Sequence, residues 1–183
     1  LGDTLDIHTG GEDNIFPHHE AEIVQSEGVT GKPFVRYFVH ARHMLIDGAK
    51  MSKSKGNFYV LEDLIEKGYT PMDFRMLLNS AHYRSQMNFT WESLEQAKKN
   101  KEALFATVDR LNSLSKEETS PEGFDGADML HEIRNAVQDD LNTPQALALT
   151  LELAKKINTL LDKKEVVNTT VLGLVFEKIF FFF

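Results

Sequence analysis

The hydrophobic period of the chain changes at Thr90, and this change constrains the fold more than any other feature. Downstream of it, Leu94, Ala97, Leu104 and Leu111 recur at spacings that place them on one stripe of a long helix. Upstream, short apolar runs alternate with glycine-bearing turns. The segment "LDIHTGGEDNIFPHHEAEIVQSEG" predicts a strand over 5–8, a glycine-containing loop, and a helix with Pro17 near its first turn and Gly28 past its end, which makes one βα unit. "PFVRYFVHARHMLID" is rich in Val, Phe, Tyr and Ile and predicts a strand that enters a hairpin at Asp47 and Gly48. "VLEDLIEKGY" predicts a helix closed by Gly68, and Pro71 opens the next, "PMDFRMLLNSAHY". After the long helix, "SKEETSPEGFDGAD" (115–128) has the composition of a linker. Helices follow over 129–140 and 144–161, the second capped by Asn142 or Thr143, and beyond Lys163 the pattern yields no assignment. The expected layout is the end of an α/β domain, a connecting segment and an antiparallel helical bundle.

Composition narrows the functional classes. With 183 residues and 42% hydrophobic content, the chain can bury one sizeable core or two small ones. There is no cysteine, so neither a disulfide framework nor a thiolate metal site can be built from this chain alone. The apolar stretch near the C-terminus is split by Glu177 and Lys178 and falls short of the ~20 residues that span a bilayer. No transmembrane segment or signal peptide is expected, which points to a cytoplasmic protein. A net charge of −8 argues against a surface that wraps nucleic acid throughout, while leaving room for a local basic patch. The chain starts at Leu1, without an initiator methionine, inside sequence that reads as structured, so a piece of a larger protein is expected.

Three motifs carry candidate chemistry, each with a plainer alternative. In "HTGGED", Gly10 and Gly11 follow a strand and let backbone approach a ligand, and Asp13 can accept hydrogen bonds from a ribose; by spacing alone, a tight turn with a solvated acid is the favoured reading. His18 and Glu22 are four apart on a predicted helix and project from one face, as two metal ligands or as a surface pair; His19 and Glu20 point elsewhere. "KMSKSKGN" (50–57) concentrates three lysines and two serines after the hairpin signal. Such a loop suits polyphosphate chemistry, because a lysine brings compact charge on a flexible stem, or it is simply a solvated basic loop. Trp91, Phe89 and Tyr83 fit a core at the start of the long helix better than base-stacking platforms. His82, Tyr83 and Arg84 form a polar knot that either meets RNA or caps a helix.

Taken in order, "DIHTGGEDNIFPHHEAEIVQSE", "HARHMLIDGAKMSKSKGN", "AHYRSQMNFTWESLEQA" and "DDLNTPQALA" closely resemble the cysteinyl-tRNA synthetase family over about residues 5–150. The "KMSKS" text alone indicates a class I aminoacyl-tRNA synthetase, and "FPHHEAE" makes the resemblance cysteine-specific. The resemblance implies a Rossmann-type catalytic domain whose C-terminal part is 1–48, a segment with the signature loop at 49–90, and a helical bundle at 91–183. It implies that Lys50, Ser52, Lys53 and Ser54, with Met51, form the loop that closes on ATP, and that Lys53 contacts the phosphates during adenylate formation. His18 and Glu22 are then two ligands of Zn2+ whose remaining cysteine ligands lie upstream of Leu1. His8, Gly10, Gly11 and Asp13 lie along the adenylate pocket, and His43, Met44 and Leu45 flank the adenine. Residues 73–96 match the segment that approaches tRNA.

The implied activity is the ATP-dependent, Mg2+-assisted activation of L-cysteine and its transfer to tRNA(Cys), by a monomer without membrane association. Zinc selection has a physical rationale, since a pocket that reads shape alone separates cysteine from serine by only a few kcal/mol, whereas a soft thiolate outcompetes a hydroxyl at the metal. The family's "HIGH" signature and its zinc cysteines are absent, so the 183 residues are expected to be inactive alone. "VFEKIFFFF" does not resemble the family's anticodon-binding end, and its phenylalanines are expected to be buried or to mark a boundary. Two alternatives share these features: the cysteine ligase of mycothiol synthesis, which differs in its acceptor, and a non-catalytic tRNA-binding module derived from a synthetase.

Overall fold

The computed structural model describes residues 2–115 and 119–182, without the side chains of Lys55 and residues 178–182. The chain divides into two compact units, Leu1–Asn57 with Tyr83–Phe89, and Phe58–His82 with Thr90–Phe183, so that residues 49–90 are shared between them.

The first unit is built on a βαβ crossover. Strands β1 (Leu5–Gly11) and β2 (Val35–Ala41) pair in parallel from Leu5 opposite Val35 to Gly11 opposite Ala41, joined through helix α1 (Glu20–Thr30). The helix closes at Gly31, not at Gly28 as the sequence predicts. Gly31 takes the left-handed φ of 65° and returns its N–H to the Glu27 carbonyl at 2.8 Å, whereas Gly28 stays within the helix. The apolar run after Pro33 also divides. Only β3 (Leu45–Ile46) enters the hairpin with β4 (Ala49–Lys50), and Asp47 (φ 48°) and Gly48 (φ 74°) supply the two left-handed positions of its turn. Strand β5 (Asn88–Phe89) pairs in parallel with β3 and brings Phe89 beside Ile46, both buried. The Lys53–Lys55 turn follows the hairpin and ends at Gly56, whose φ is 69°.

The second unit is helical. It comprises α2 (Leu61–Glu66), α3 (Pro71–Asn79), α4 (Trp91–Asn112), α5 (Ala127–Gln138), α6 (Thr143–Asp162) and α7 (Thr169–Phe182). Leu94, Ala97, Leu104 and Leu111, the predicted stripe of α4, are all buried, and Asn142 caps α6 by accepting the Gln145 N–H. Ile133, Leu153, Ile157, Leu172 and Phe176 complete this core.

The predicted linker is partly ordered. Strand β6 (Thr119–Phe124) bridges Val167, and Asn168 donates to the carbonyls of Phe124 (3.0 Å) and Pro121 (2.9 Å). A Cβ at Gly123 would come within 2.8 Å of the Val166 carbonyl oxygen, so this contact requires glycine. Residues 116–118 of that predicted linker, and the side chains of the C-terminal phenylalanine run, lie outside the described residues. Among the described residues, no helix is long and apolar enough to cross a membrane.

Candidate metal and nucleotide site

The βαβ crossover aims β1 and the head of α1 at each other. His8, in β1, places its Nε2 2.9 Å from Oε2 of Glu22, which sits in the first turn of α1. The other Glu22 oxygen, Oε1, lies 3.3 Å from Nε2 of His18. That separation matches the edge of a tetrahedron with metal–ligand bonds of about 2.0 Å, so His18 and Glu22 fit two corners of a zinc site. The hydrogen bond from His8 then orients the carboxylate from behind, a support that metal-ligating groups generally need. The ligand atoms of His8, His19 and Glu22 also lie within 4.8 Å of one another, so His19 belongs to the same cluster.

The sequence reading left His19 out, because it carried one helical period through the segment. Ile15–His19 instead forms a wider π-type turn, and α1 begins only at Glu20. His19 therefore faces inward, only 4% exposed, with its Nδ1 2.8 Å from Nε2 of His40. The available signal was the bunching of His8, His18, His19 and His40 within one βα unit and its returning strand. Burial holds the His19 imidazole below its ordinary pKa, the neighbouring His8 adds to this, and Glu22 opposes it. A neutral imidazole is the form that binds a metal or passes a hydrogen bond.

The glycines of "HTGGED" serve close approach, in part to protein rather than to a ligand. A Cβ at Gly10 would lie 2.8 Å from Cε1 of His19, so Gly10 is what lets that ring pack on the strand. A Cβ at Gly11 would lie 2.5 Å from Oδ1 of Asp13. Asp13 and His43 are brought together, with Nε2 of His43 3.4 Å from Oδ1 of Asp13. Met44 follows, and Leu45 opens β3 with its N–H donated to the Met87 carbonyl at 2.7 Å. Of the predicted adenylate and adenine residues, the structure thus brings Asp13 and His43 together, whereas His8 is engaged by Glu22 and Gly10 lies against His19.

The "KMSKS" loop is organised by Asn57. Its Oδ1 accepts the Ser52 N–H at 2.9 Å, its Nδ2 donates to the Lys50 carbonyl at 3.2 Å, and the Ser52 and Ser54 hydroxyls meet at 2.8 Å. These bonds run within residues 50–57, and Lys53 is exposed. The two Asn57 bonds fix the base of the loop that carries Lys53.

Residues 1–99 match the family of tRNA synthetases class I (C) catalytic domain, and residues 132–177 match the DALR domain. The chain is 43% identical over 173 residues to the Cysteine--tRNA ligase of Chlamydia muridarum, covering 93% of this chain and 36% of that protein. It is 46% identical over 169 residues to the counterpart from Symbiobacterium thermophilum, covering 87% of this chain and 35% of the relative. The chain therefore spans about a third of the length of the curated relatives it matches. Among solved structures, the LeuRS of Agrobacterium radiobacter K84, in ternary complex with tRNA and LeuAMS, superposes with a TM-score of 0.68 at 16% identity. That match covers 95% of this chain and 25% of the LeuRS chain, and it shows the shared fold.

Proposed function

Because the chain belongs to the class I (C) tRNA synthetase family, as a catalytic-domain portion followed by a helical DALR region, we propose that it forms part of an enzyme that activates L-cysteine with ATP and transfers it to tRNA(Cys). The observation that carries this reading is the convergence of His8, His18 and His19 on Glu22.

His18 and Glu22 hold zinc, with cysteine ligands supplied from outside these residues, and His8 fixes the carboxylate through its 2.9 Å bond. When bound, the metal selects thiolate over hydroxyl and lowers the thiol pKa, which distinguishes cysteine from serine. Asp13 accepts the ribose hydroxyls of ATP, and the segment from His43 to Leu45 flanks its base. Lys53, with Lys50 beside it, stabilises the charge that develops as the cysteine carboxylate attacks the α-phosphate and Mg2+-bound pyrophosphate leaves. Ser52 and Ser54, already bonded to each other, close the loop over the phosphates. The site acts in protein biosynthesis, in the cytoplasm, with the protein as a monomer.

The test is cysteine-dependent exchange of labelled pyrophosphate into ATP by the full-length protein, with serine as control. Exchange is expected with cysteine only. Lys53→Ala should reduce it roughly 100-fold or more, the scale seen when one preorganised transition-state donor is removed, and His18→Ala should lose both exchange and bound zinc. Absence of exchange in zinc-loaded wild type, or equal exchange with serine, would overturn the reading. Charging of tRNA(Cys) against an amino-sugar acceptor then separates the synthetase from the mycothiol-type ligase.

A further inference from the structure

Helix α2 has six residues, well below the roughly 12 at which a helix persists unaided, and Leu64 is its one buried side chain. Leu61 and Ile65, on the same short helix, are 41% and 52% exposed. Its position therefore depends on contacts at its two ends, and both ends meet the Trp91 indole. Before α2, the Tyr59 ring stands edge-on to the indole at 5.2 Å and 75°. After it, Nζ of Lys67 lies 4.8 Å from the centre of the indole ring, and the Tyr69 ring lies 6.0 Å away at 31°. The Tyr69 hydroxyl donates to Oε2 of Glu95 at 3.2 Å, one turn along α4 from Trp91, and this bond holds the Tyr69 ring in place.

The base on which Trp91 stands is tied down, whereas the element it holds is free to turn at one end. Trp91 opens α4, where Thr90 Oγ1 accepts the Ser93 N–H at 3.0 Å and Ser93 Oγ accepts the Thr90 N–H at 3.0 Å. Helix α3 is fixed to α4 through Lys101, whose Nζ lies 2.6 Å from Oδ1 of the fully buried Asp73. Between α2 and α3 stands Gly68, with a left-handed φ of 83° and open space where a Cβ would project. At the other end of α2, Tyr59 follows by two positions Asn57, the residue that ties the 50–57 loop together. We propose that Trp91 is a positioning residue for the 50–57 loop, clasping both ends of α2 so that Tyr59 sets where the loop that carries Lys53 comes to rest. A turn of α2 about Gly68 carries the end of the loop with it, and the clasp on the indole limits that turn. The proposal rests on the adenylate-forming reading above and adds to it a residue outside the set assigned to ATP, cysteine and zinc.

The test is a double-mutant cycle between Trp91 and Lys53 in the full-length protein, read by cysteine-dependent pyrophosphate exchange, with thermal melting to check folding. Trp91→Leu is expected to lower kcat about tenfold, within the range that misplacement of a catalytic group costs, and to leave KM for cysteine unchanged. Trp91→Phe, which keeps an aromatic face for Lys67 and a ring for Tyr59, is expected to retain most of the rate. In a Lys53→Ala background, Trp91→Leu should cost less than about twofold, because a residue that acts through Lys53 then has nothing left to position. Amide hydrogen exchange reads the same coupling without activity: Trp91→Leu should speed it about tenfold over residues 50–66 while leaving 94–112 unchanged. Tyr59→Leu breaks the same contact from the other side, should repeat both effects, and decides the question if Trp91→Leu does not fold. A folded Trp91→Leu protein with wild-type kcat and wild-type amide protection would overturn the proposal. An undiminished loss in the Lys53→Ala background would also overturn it, since that outcome marks a general structural role. Failure of the underlying reading shows separately, as no cysteine-dependent pyrophosphate exchange in wild type, and the amide-exchange arm then decides the positioning claim by itself.

Discussion

The two units differ in what they bury. In the helical unit most of the buried side chains are hydrocarbon, among them Leu94, Leu104, Ile133, Leu153, Ile157, Leu172, Val175 and Phe176, and the buried polar groups Asp73, Thr107 and Thr150 sit among them. In the βαβ unit, the well-buried side chains are Ile46, Phe89 and His19, while Ile7 and Tyr37, paired across β1 and β2, are 61% and 68% exposed. Strands of parallel sheets are normally covered on both faces. In this chain, which spans about a third of the length of its relatives, one face of the pair carries His8 and His40 and the other carries the exposed Ile7 and Tyr37. The contrast sets a large apolar core in the helical unit against a small one in the first unit, where an imidazole, His19, is among the buried side chains.

The buried ion pair of the helical unit offers the largest test of that contrast. Asp73 is fully buried, with Lys101 Nζ 2.6 Å from its Oδ1 and the Thr70 N–H and hydroxyl at 2.7 and 2.8 Å from its Oδ2. Burial alone would raise the carboxyl pKa, but the Lys101 and Thr70 bonds outweigh it and hold the group below its ordinary value. Lys101→Met leaves this charge unpaired and should destabilise by about 3–5 kcal/mol at pH 7 in urea denaturation. The sign of the pH dependence follows from the shift. A depressed folded pKa contributes stability that is present above the unfolded value of about 4 and is lost as pH falls through the lower folded value. The gap between wild type and variant should therefore narrow on acidification, and a gap that widens would show that Asp73 is not held as its carboxylate.

A matched pair of truncations sharpens the comparison next. Leu104→Ala, in the sealed core of α4, should cost about 3 kcal/mol. Ile7→Ser, on the open face of β1, should change stability by no more than about 0.5 kcal/mol. Equal losses would mean that the open face is as tightly packed as the helical core. An effect between these two is expected at a cap. Asn142→Ala removes the acceptor of the Gln145 N–H at 3.2 Å and should lower stability by about 1 kcal/mol, readable as a shift in thermal midpoint.

Legibility in the sequence followed the same division. Helices α4 to α6 were readable because their apolar residues repeat at the helical period and their caps are local, as at Asn142. The hairpin was readable because Asp47 and Gly48 must both take left-handed φ. The linker was misread in part, because the contacts that make β6 a strand come from Val167 and Asn168, more than 40 residues away. The fate of α7 was equally hidden, since an apolar run without polar alternation does not reveal its period.

The site divides in the same manner. Short-range chemistry, namely the lysines and serines of the 50–57 loop, the paired glycines and the His18–Glu22 spacing, was visible because each depends on neighbours along the chain. Residue type and local spacing could name these candidates, and they could place them on a loop, a strand end or a helix head. Only tertiary packing could bring His8 onto Glu22, turn His19 inward to His40 through the wider turn at Ile15–His19, and gather Glu12, Arg42 and Arg84 around one cavity. The His19–His40 contact and the meeting of Glu12 with Arg42 depend on β2 returning in parallel beside β1 across the α1 crossover, His8 meets Glu22 because α1 packs back on β1, and Arg84 arrives through the bond from Arg42 to the Tyr83 carbonyl; each joins residues far apart along the chain.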